Sequence, residues 1–483
     1  MLFNSIEYLI FLPITFLLYW SYLNKSVNNQ NNLLLIASYF FYSWWDYRFL
    51  SLIIISTVVD YVVAIMIHNS SQIMIKKRWL TLSILLNISL LGFFKYFNFF
   101  IDSWIDVWAC IGYELSPYSL KVILPVGISF YTFQTLSYTI DVYNGKFKPT
   151  NNFVAFATYV SFFPQLVAGP IERATRLLPQ ILKTRYFNYQ QCVQGLRLIL
   201  WGLFKKIAVA DSLAIMVDDI FINYQSLDGS ILVFGAVLFA FQIYGDFSGY
   251  SDIAIGTAKL FGIELMSNFK FPYFSRDIAE FWRRWHISLS TWFRDYVYIP
   301  LGGSKRGKLI SIRNIFIIFI VSGFWHGANW TFIVWGIIHA LMYMPLFLFN
   351  KNRDNYGSII GEKTFFPTIK ESFQVLTNFL LVTIAWVFFR SESVTASIDY
   401  LIRAISNFTL SMEYIHPRGY RLFDYILILI IFILFEYKIR RDERSPLFFK
   451  NNYLNGITYS TLLFIIYLFI YDNVDNSFIY FQF

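Results

Sequence analysis

The fold is decided by residues 310–349, whose sequence is ISIRNIFIIFIVSGFWHGANWTFIVWGIIHALMYMPLFLF. Two apolar runs, at 310–324 and 331–349, lie on either side of the segment Trp325-His326-Gly327. Each run approaches the ~20 residues that an α-helix needs to cross the hydrocarbon core of a bilayer. The stretch therefore predicts two membrane-spanning helices with a histidine between them.

The same pattern recurs along the chain, in which 57% of residues are hydrophobic and 14% are charged, a composition typical of membrane proteins. The first run follows an N-terminus without Lys or Arg and precedes no small-residue cleavage site, so residues 1–23 are predicted to be a retained helix and not a signal peptide. Further spans are predicted at 33–45, 50–68, 79–98, 121–140, 152–168, 194–217, 230–258, 373–390, 423–437 and 456–471. The predicted fold class is all-α and polytopic, with about 11–13 transmembrane helices.

No internal repeat and no linker divides the sequence, so residues 1–483 are predicted to form a single membrane domain. Residues 1–100 have the character of scaffold helices, and residues 346–483 that of ordinary C-terminal helices. The region 121–345 holds most of the glycine, proline, histidine and intramembrane charge. Because polar groups in a membrane are kept mainly where they line a cavity or pair with each other, this region is the predicted catalytic core.

The formal net charge of +9 does not indicate nucleic-acid binding. The Lys and Arg residues are scattered through short loops between apolar spans and do not gather on one helix or tail. Such a distribution favours contact with anionic membrane lipids.

Residues 270–308 are too basic for a straight crossing. Apolar side chains nevertheless recur there at three- and four-residue spacing, namely Ile278, Phe281, Trp282, Trp285, Leu289, Trp292, Phe293 and Tyr296. This spacing predicts an amphipathic helix that lies in the membrane interface or dips from it. His286 falls at the border of the apolar stripe, where it faces a polar pocket or packs among tryptophans. The loop that follows, PLGGSKRGK at 300–308, suits phosphate contact as well as contact with anionic lipid.

His326 is the strongest candidate for chemistry because it lies deep in apolar sequence, between Gly323 and Gly327. The glycines allow a backbone or a ligand to approach closely, and a neutral imidazole in a dry site suits a general base. A structural histidine bonded to a neighbouring helix is the alternative. His339 would be rotated roughly 140° from His326 on one continuous helix and ranks below it. No histidine, cysteine or glutamate spacing indicates a metal site.

Two other polar segments are expected to serve packing. Asp246 and Asp252 point to different faces of a helix and are predicted to pair with Arg or Tyr on neighbouring helices. Residues 163–173 contain two prolines around a glycine, which predicts a kinked or re-entrant segment buried in protein.

Several motifs carry a resemblance to a known family. They are FWRRWHISLSTWFRDY at 281–296, YIPLGG at 298–303, WHG at 325–327, DFSGYSD at 246–252, FNS at 3–5, FFYSW at 40–44 and FIYFQF at 478–483. On these motifs the chain resembles the membrane-bound O-acyltransferases of the bacterial alginate O-acetyltransferase type, over essentially its whole length.

The resemblance implies helices around a central funnel or tunnel, with two family histidines at His286 and His326. His326 is similar to the family's catalytic histidine. Members move an acyl group, usually acetyl, from a cytoplasmic donor to an extracytoplasmic hydroxyl. The implied donor is acetyl-CoA or another acyl thioester, with no bound cofactor. The implied setting is the bacterial inner membrane, with a polysaccharide acceptor and an SGNH-type periplasmic partner. Candidate donor contacts are Arg283, Arg284, Lys305, Arg306 and Asn329, and an oxyanion could be stabilised by His286, Asn329 or tryptophan N–H groups.

The sequence leaves related and unrelated functions open. Peptidoglycan O-acetylation competes closely with acetylation of an exopolysaccharide, and D-alanyl transfer to teichoic acid is a further relative. A transporter of an acylated glycan or lipid intermediate is the alternative from another class, although no inverted repeat supports it. A scaffold that only recruits the periplasmic partner is a third interpretation.

Overall fold

The computed structural model describes residues 1–21, 26–116, 120, 122–362, 364–410, 414, 419 and 422–470. Every regular element in these ranges is helical, so the prediction of an all-α fold is confirmed. The motif FIYFQF at 478–483 lies outside the described residues.

Seven described helical runs are long and apolar enough to cross a membrane. They are Val27–Asn69, Ile73–Cys110, Gly229–Leu260, Lys308–His326, Trp330–Leu348, Ile369–Arg390 and Asn452–Ile470. Ile6–Ser21 is a shorter apolar helix. The protein is therefore a multi-pass membrane protein, as predicted, while the count of 11–13 crossings stays a prediction.

The chain packs into two compact units. The first comprises residues 1–196 and 254–266. Its helices are α1 (Ile6–Ser21), α2 (Val27–Asp46), α3 (Leu50–Asn69), α4 (Ile73–Leu91), α5 (Phe97–Cys110), α6 (Ile128–Tyr143), α7 (Phe153–Ser161), α8 (Phe163–Leu166), α9 (Ala174–Ile181) and the larger part of α10 (Tyr189–Leu203). The predicted span 152–168 is interrupted at Phe162, and residues 163–171 are buried, which agrees with the predicted kink.

The second unit comprises residues 197–253 and the described residues from Ser267 onward. Its helices are α11 (Ser212–Ile222), most of α12 (Gly229–Leu260), α13 (Ile278–Arg284), α14 (Ile287–Phe293), α15 (Lys308–His326), α16 (Trp330–Leu348), α17 (Ile369–Arg390), α18 (Val394–Ser406), α19 (Leu422–Ile439) and α20 (Asn452–Ile470). All of the predicted site residues belong to this unit. The subdivision into scaffold, catalytic core and C-terminal helices stays a prediction.

Buried ion pairs join α12 to the π-helical segment Phe204–Asp211 that follows α10. The Lys206 ammonium lies 2.6 Å from Asp211 and 2.8 Å from Asp246. The Lys205 ammonium lies 2.7 Å from Asp252 and 2.9 Å from the Ser248 hydroxyl. Asp246 and Asp252 therefore do tie segments together, and lysines, which the sequence analysis did not name, are among their partners. The two lysines inside the predicted span 194–217 were the available signal, since intramembrane charges need counter-charges.

Glycines let α15 and α16 pack unusually closely. A Cβ atom added at Gly323 would lie 3.0 Å from the carbonyl carbon of Phe332 and still closer to its oxygen. One added at Gly336 would lie 2.9 Å from the carbonyl carbon of Phe319. Small residues at such crossings permit backbone approach between membrane helices. The glycine before His326 is thus explained by helix packing.

Candidate active site

The structure brings the two predicted histidines together. The ring centroids of His286 and His326 lie 6.4 Å apart, and the side chains are 0% and 3% exposed. His286 belongs to the segment between α13 and α14, and His326 is the last residue of α15. Residues 40 positions apart in the chain therefore form one buried histidine pair.

The continuous amphipathic helix expected over 278–296 is broken at this point. His286 has left-handed backbone angles (φ 42°, ψ 55°), which interrupt the helix and cost a non-glycine residue about 1–3 kcal/mol. The interruption is held by backbone hydrogen bonds from Lys270 N–H to Arg284 C=O (3.0 Å) and from Ile287 N–H to Asn268 C=O (2.9 Å). Local periodicity could not reveal these partners because they lie 14 and 19 residues away.

Aromatic rings surround His326. The rings of Trp325, Trp335 and Phe389 lie 5.0, 5.2 and 5.4 Å from it, centroid to centroid. Gly327 has extended angles that end α15, and a Cβ added there would collide with the Phe332 ring. The surroundings of His326 are therefore buried and mainly aromatic.

His339 belongs to a neighbouring cluster. The sequence analysis placed His339 by its rotation from His326 on one continuous helix. This rotation does not apply, because α15 ends at His326 and His339 belongs to α16. Its Nδ1 accepts a hydrogen bond from the Trp282 indole N–H at 3.3 Å. The Trp335 ring lies 4.7 Å from His339 and also contacts His326. His339 is therefore a buried packing residue one aromatic ring away from the pair.

A basic cavity of about 1050 Å³ opens beside α13, α14 and α15. Its lining includes seven basic side chains and two acidic ones: Lys270, Arg283, Arg284, Arg294, Arg353, Arg440, Arg441, Glu280 and Glu443. Ser322 also lines the cavity and stands four residues, or about 6 Å of helix rise, before His326. The helix that ends at His326 therefore also forms part of the cavity wall.

The candidate donor contacts separate into three groups. Arg283 and Arg284 line the cavity, whereas Lys305 and Arg306 are exposed and outside its lining. Arg284 donates to Glu280 at 2.6 Å and to the Ser358 carbonyl at 2.9 Å. Arg283 Nη1 donates to the Asn352 carbonyl at 2.9 Å, and its Nη2 has no hydrogen-bond partner among the described residues.

Asn329 has a capping role. Its side-chain oxygen accepts from the Thr331 N–H at the start of α16, and its amide nitrogen donates to the Glu392 carbonyl at 3.0 Å. These bonds satisfy the helix end, as asparagine commonly does at this position. Among the described residues, no group of three or more His, Cys, Asp or Glu side chains could hold a metal ion.

The fold and this site define a multi-pass membrane protein whose second unit holds a buried histidine pair and a basic cavity. The model of the membrane-bound O-acyltransferase (MBOAT) family matches residues 73–349. The chain belongs to this family, and it is accordingly a membrane-embedded O-acyltransferase that uses an acyl donor.

Three relatives show how the likeness is distributed. A protein named probable alginate O-acetylase AlgI, from Pseudomonas syringae pv. tomato, is 42% identical over 81% of this chain and 73% of its own length. A peptidoglycan O-acetyltransferase from Helicobacter pylori is 36% identical over 83% of this chain and 79% of its own length. A teichoic acid D-alanyltransferase from Streptococcus thermophilus is 32% identical over 45% of this chain and 55% of its own length.

Proposed function

We propose that this protein transfers acetyl groups from a cytoplasmic thioester to hydroxyls of an extracytoplasmic polysaccharide, with His326 as general base. The observation that carries the proposal is the position of His326. It is buried beside His286 and stands one helical turn beyond a residue of the basic cavity. A general base next to a basic cavity is well placed for transfer from a thioester donor, because the cavity can hold the anionic part of the donor while its acyl group reaches the base.

The proposed donor is acetyl-CoA, whose phosphates would lie in the basic cavity. Seven basic side chains in its lining favour a phosphorylated ligand, and a volume of about 1050 Å³ is sufficient for a large one. Arg283 is the residue assigned to phosphate binding because its Nη2 has no protein acceptor among the described residues. Lys305, Arg306 and Asn329 carry no part of this proposal.

In the proposed reaction, His326 accepts the proton of the acceptor hydroxyl while the oxygen attacks the thioester carbonyl carbon. The C–O bond forms and the carbonyl electrons move to oxygen, giving a tetrahedral intermediate. Its collapse breaks the C–S bond, and the thiolate takes the proton from His326. The products are an acetyl ester and a free thiol, so atoms and charge balance.

Trp335 is the proposed donor to the intermediate's oxyanion. Its ring lies 5.2 Å from the His326 ring, and its buried indole N–H has no acceptor among the described residues. Such a donor contributes most when it meets charge that develops only in the transition state. Asn329 is a poorer choice because its amide is already hydrogen-bonded.

The acceptor is proposed from the relatives. Alginate O-acetylases and a peptidoglycan O-acetyltransferase match about four fifths of the chain, whereas a teichoic acid D-alanyltransferase matches less than half of it. This difference favours acetyl over D-alanyl transfer. The higher identity to the alginate O-acetylase, 42% against 36% for the peptidoglycan enzyme, favours an alginate-like exopolysaccharide as the acceptor. Peptidoglycan is the second candidate because its relative aligns over 433 residues. The proposed setting is the bacterial inner membrane, with an SGNH-type protein completing transfer in the periplasm.

The test replaces His326 with alanine in cells whose glycan acetylation depends on this protein. Ester-linked acetate is released from the envelope glycan by mild alkali and quantified, and protein level is followed by immunoblot. Acetate should fall to background at normal protein level. His68→Ala is the matched control because His68 is exposed. Full acetylation in the His326 variant would refute the mechanism. A purified protein that consumes no acetyl-CoA would also refute it, and this second result is the one that a transporter would give.

A further inference from the structure

Asn268 is the centre of a buried hydrogen-bond network around His286. Asn268 is 1% exposed, and its side-chain oxygen lies 3.0 Å from His286 Nδ1 and 2.9 Å from the Ser288 hydroxyl. Its amide nitrogen donates to the Ser251 hydroxyl of α12 at 3.1 Å. Three polar groups, from α12 and from residues 286–288 of the second unit, therefore meet at the Asn268 side chain.

The orientation of the Asn268 amide is fixed by a group that can only donate. The backbone N–H of Ser288 points at the same side-chain oxygen, at 3.4 Å. A flipped amide would set an NH₂ group against this N–H, which is a donor facing a donor. The oxygen therefore faces His286. Because an amide oxygen only accepts, His286 must carry its proton on Nδ1 and its lone pair on Nε2.

His339 shows the opposite arrangement and serves as an internal comparison. Its Nδ1 accepts from the Trp282 indole N–H, which can only donate. The proton of His339 therefore lies on Nε2. Two buried histidines of one unit are held in opposite tautomers by their neighbours, and of the two it is His286 that carries its lone pair on Nε2.

We infer that Asn268 is a positioning residue for the acyl transfer proposed above, which holds His286 in the Nδ1–H tautomer, so that the His286 ring of the histidine pair carries a lone pair on Nε2 and not a proton. An imidazolium forms on His326 when it takes the hydroxyl proton. A neutral acceptor close by stabilises that cation, whereas a second imidazolium would oppose it. An uncharged amide supports this role better than a carboxylate, which would favour the charged form of His286.

The surroundings agree with a neutral His286. Burial lowers the pKa of His286, which lies outside the seven candidate membrane spans, to about 3. Groups facing it come from α12, the segment before α13, α14 and α15: Phe247, Ser251, Asn268, Phe269, Ser288, Trp325 and His326. Of these, His326 is titratable.

The test compares Asn268→Asp, Asn268→Leu and Ser288→Ala in the purified full-length protein in lipid nanodiscs. The assay measures thiol release from acetyl-CoA in the presence of alginate oligosaccharide, at several pH values. Asn268→Leu should lower kcat by about 10- to 100-fold with an unchanged KM for acetyl-CoA, since the tautomer is no longer fixed. Ser288→Ala removes another bond to the same oxygen but leaves the tautomer, so its kcat should stay within about threefold.

Asn268→Asp tests the positioning role through the pH dependence of kcat, which a purely structural role of Asn268 would leave unchanged. The carboxylate still accepts from Nδ1–H, so activity should be close to normal near pH 9. It also stabilises the imidazolium and raises the pKa of His286, so that Nε2 becomes protonated and kcat falls as the pH drops toward about 6. The unmodified protein should lack this additional acid-side loss, because its His286 stays neutral over this pH range.

Two results would overturn the inference: a wild-type kcat in Asn268→Leu, or a pH profile of Asn268→Asp parallel to that of the unmodified protein. The second criterion applies even if the leucine variant fails to fold. An inactive His326→Ala together with a parallel Asn268→Asp profile would remove only the role of Asn268. An active His326→Ala would remove the proposed function itself.

Discussion

Replacing Gly323 with alanine adds one methyl group at the crossing of α15 and α16, three residues before His326. The new Cβ would lie 3.0 Å from the Phe332 carbonyl carbon, short of the 3.4 Å at which ordinary van der Waals contact begins, and closer still to the oxygen. The obstacle is backbone, which cannot rotate away, so the helices must separate. Overpacking of this kind costs about 1–3 kcal/mol of the free energy of unfolding.

The effect on catalysis should exceed the effect on stability. Separation of the helices moves His326 relative to Trp335, which α16 carries, and a misplacement of about 1 Å costs on the order of 100-fold in rate. We expect acetyl transfer to fall by about 10- to 100-fold in protein that still inserts and purifies. Gly336→Ala disturbs the same crossing from the other helix and should behave alike.

The assay pairs acetyl-CoA turnover with thermal denaturation of the detergent-solubilised protein. Gly456→Ala is the matched control, since it lies within α20 and the added Cβ would meet nothing within 4 Å beyond its chain neighbours and the backbone of its own helix. This control should keep full turnover and gain up to about 1 kcal/mol from the better helix propensity of alanine. Wild-type turnover and stability in Gly323→Ala would show that the close crossing is not required to place His326.

Three further predictions concern separate parts of the second unit. Lys206→Met removes the cation that pairs with the buried carboxylates of Asp211 and Asp246, and should lower the free energy of unfolding by about 3–5 kcal/mol, seen as loss of folded protein. The control Arg48→Met, at an exposed ion pair, should cost under about 1 kcal/mol. Arg283→Met should raise KM for acetyl-CoA about tenfold with little change in kcat, and Lys305→Met, at an exposed residue, should change neither. The reverse pattern would indicate that the donor binds at the glycine-rich loop, residues 300–308, and not in the basic cavity. Trp335→Phe keeps an aromatic side chain but removes the indole N–H, and should lower kcat by about 10- to 1000-fold. An unchanged kcat would exclude Trp335 as the hydrogen-bond donor to the oxyanion.

The sequence predicted the features that depend on local composition. Apolar run lengths located the helices, and a histidine between glycines in apolar sequence identified His326. That His286 and His326 belong to one site was predicted only from the resemblance to a known family. Residues 40 positions apart share no local sequence pattern that would indicate a contact. The break at His286 was missed since it depends on bonds to Asn268 and Lys270. The basic cavity could not be predicted, because its lining comes from segments between residues 270 and 443 that only the fold brings together.

The helix ends explain why such a site is built where it is. His326 ends α15 and His286 separates α13 from α14, so both histidines occupy interruptions of helices. Interrupted backbone inside a membrane protein is tolerated where other protein groups satisfy it, as the backbone groups of Asn268 and Lys270 do here. The C-terminal end of a helix also carries partial negative charge, which favours a cation within its last turn. His326 stands at that end of α15, so in the proposed mechanism the helix would stabilise the imidazolium that forms on His326, and the same histidine in the middle of a helix would lack this support.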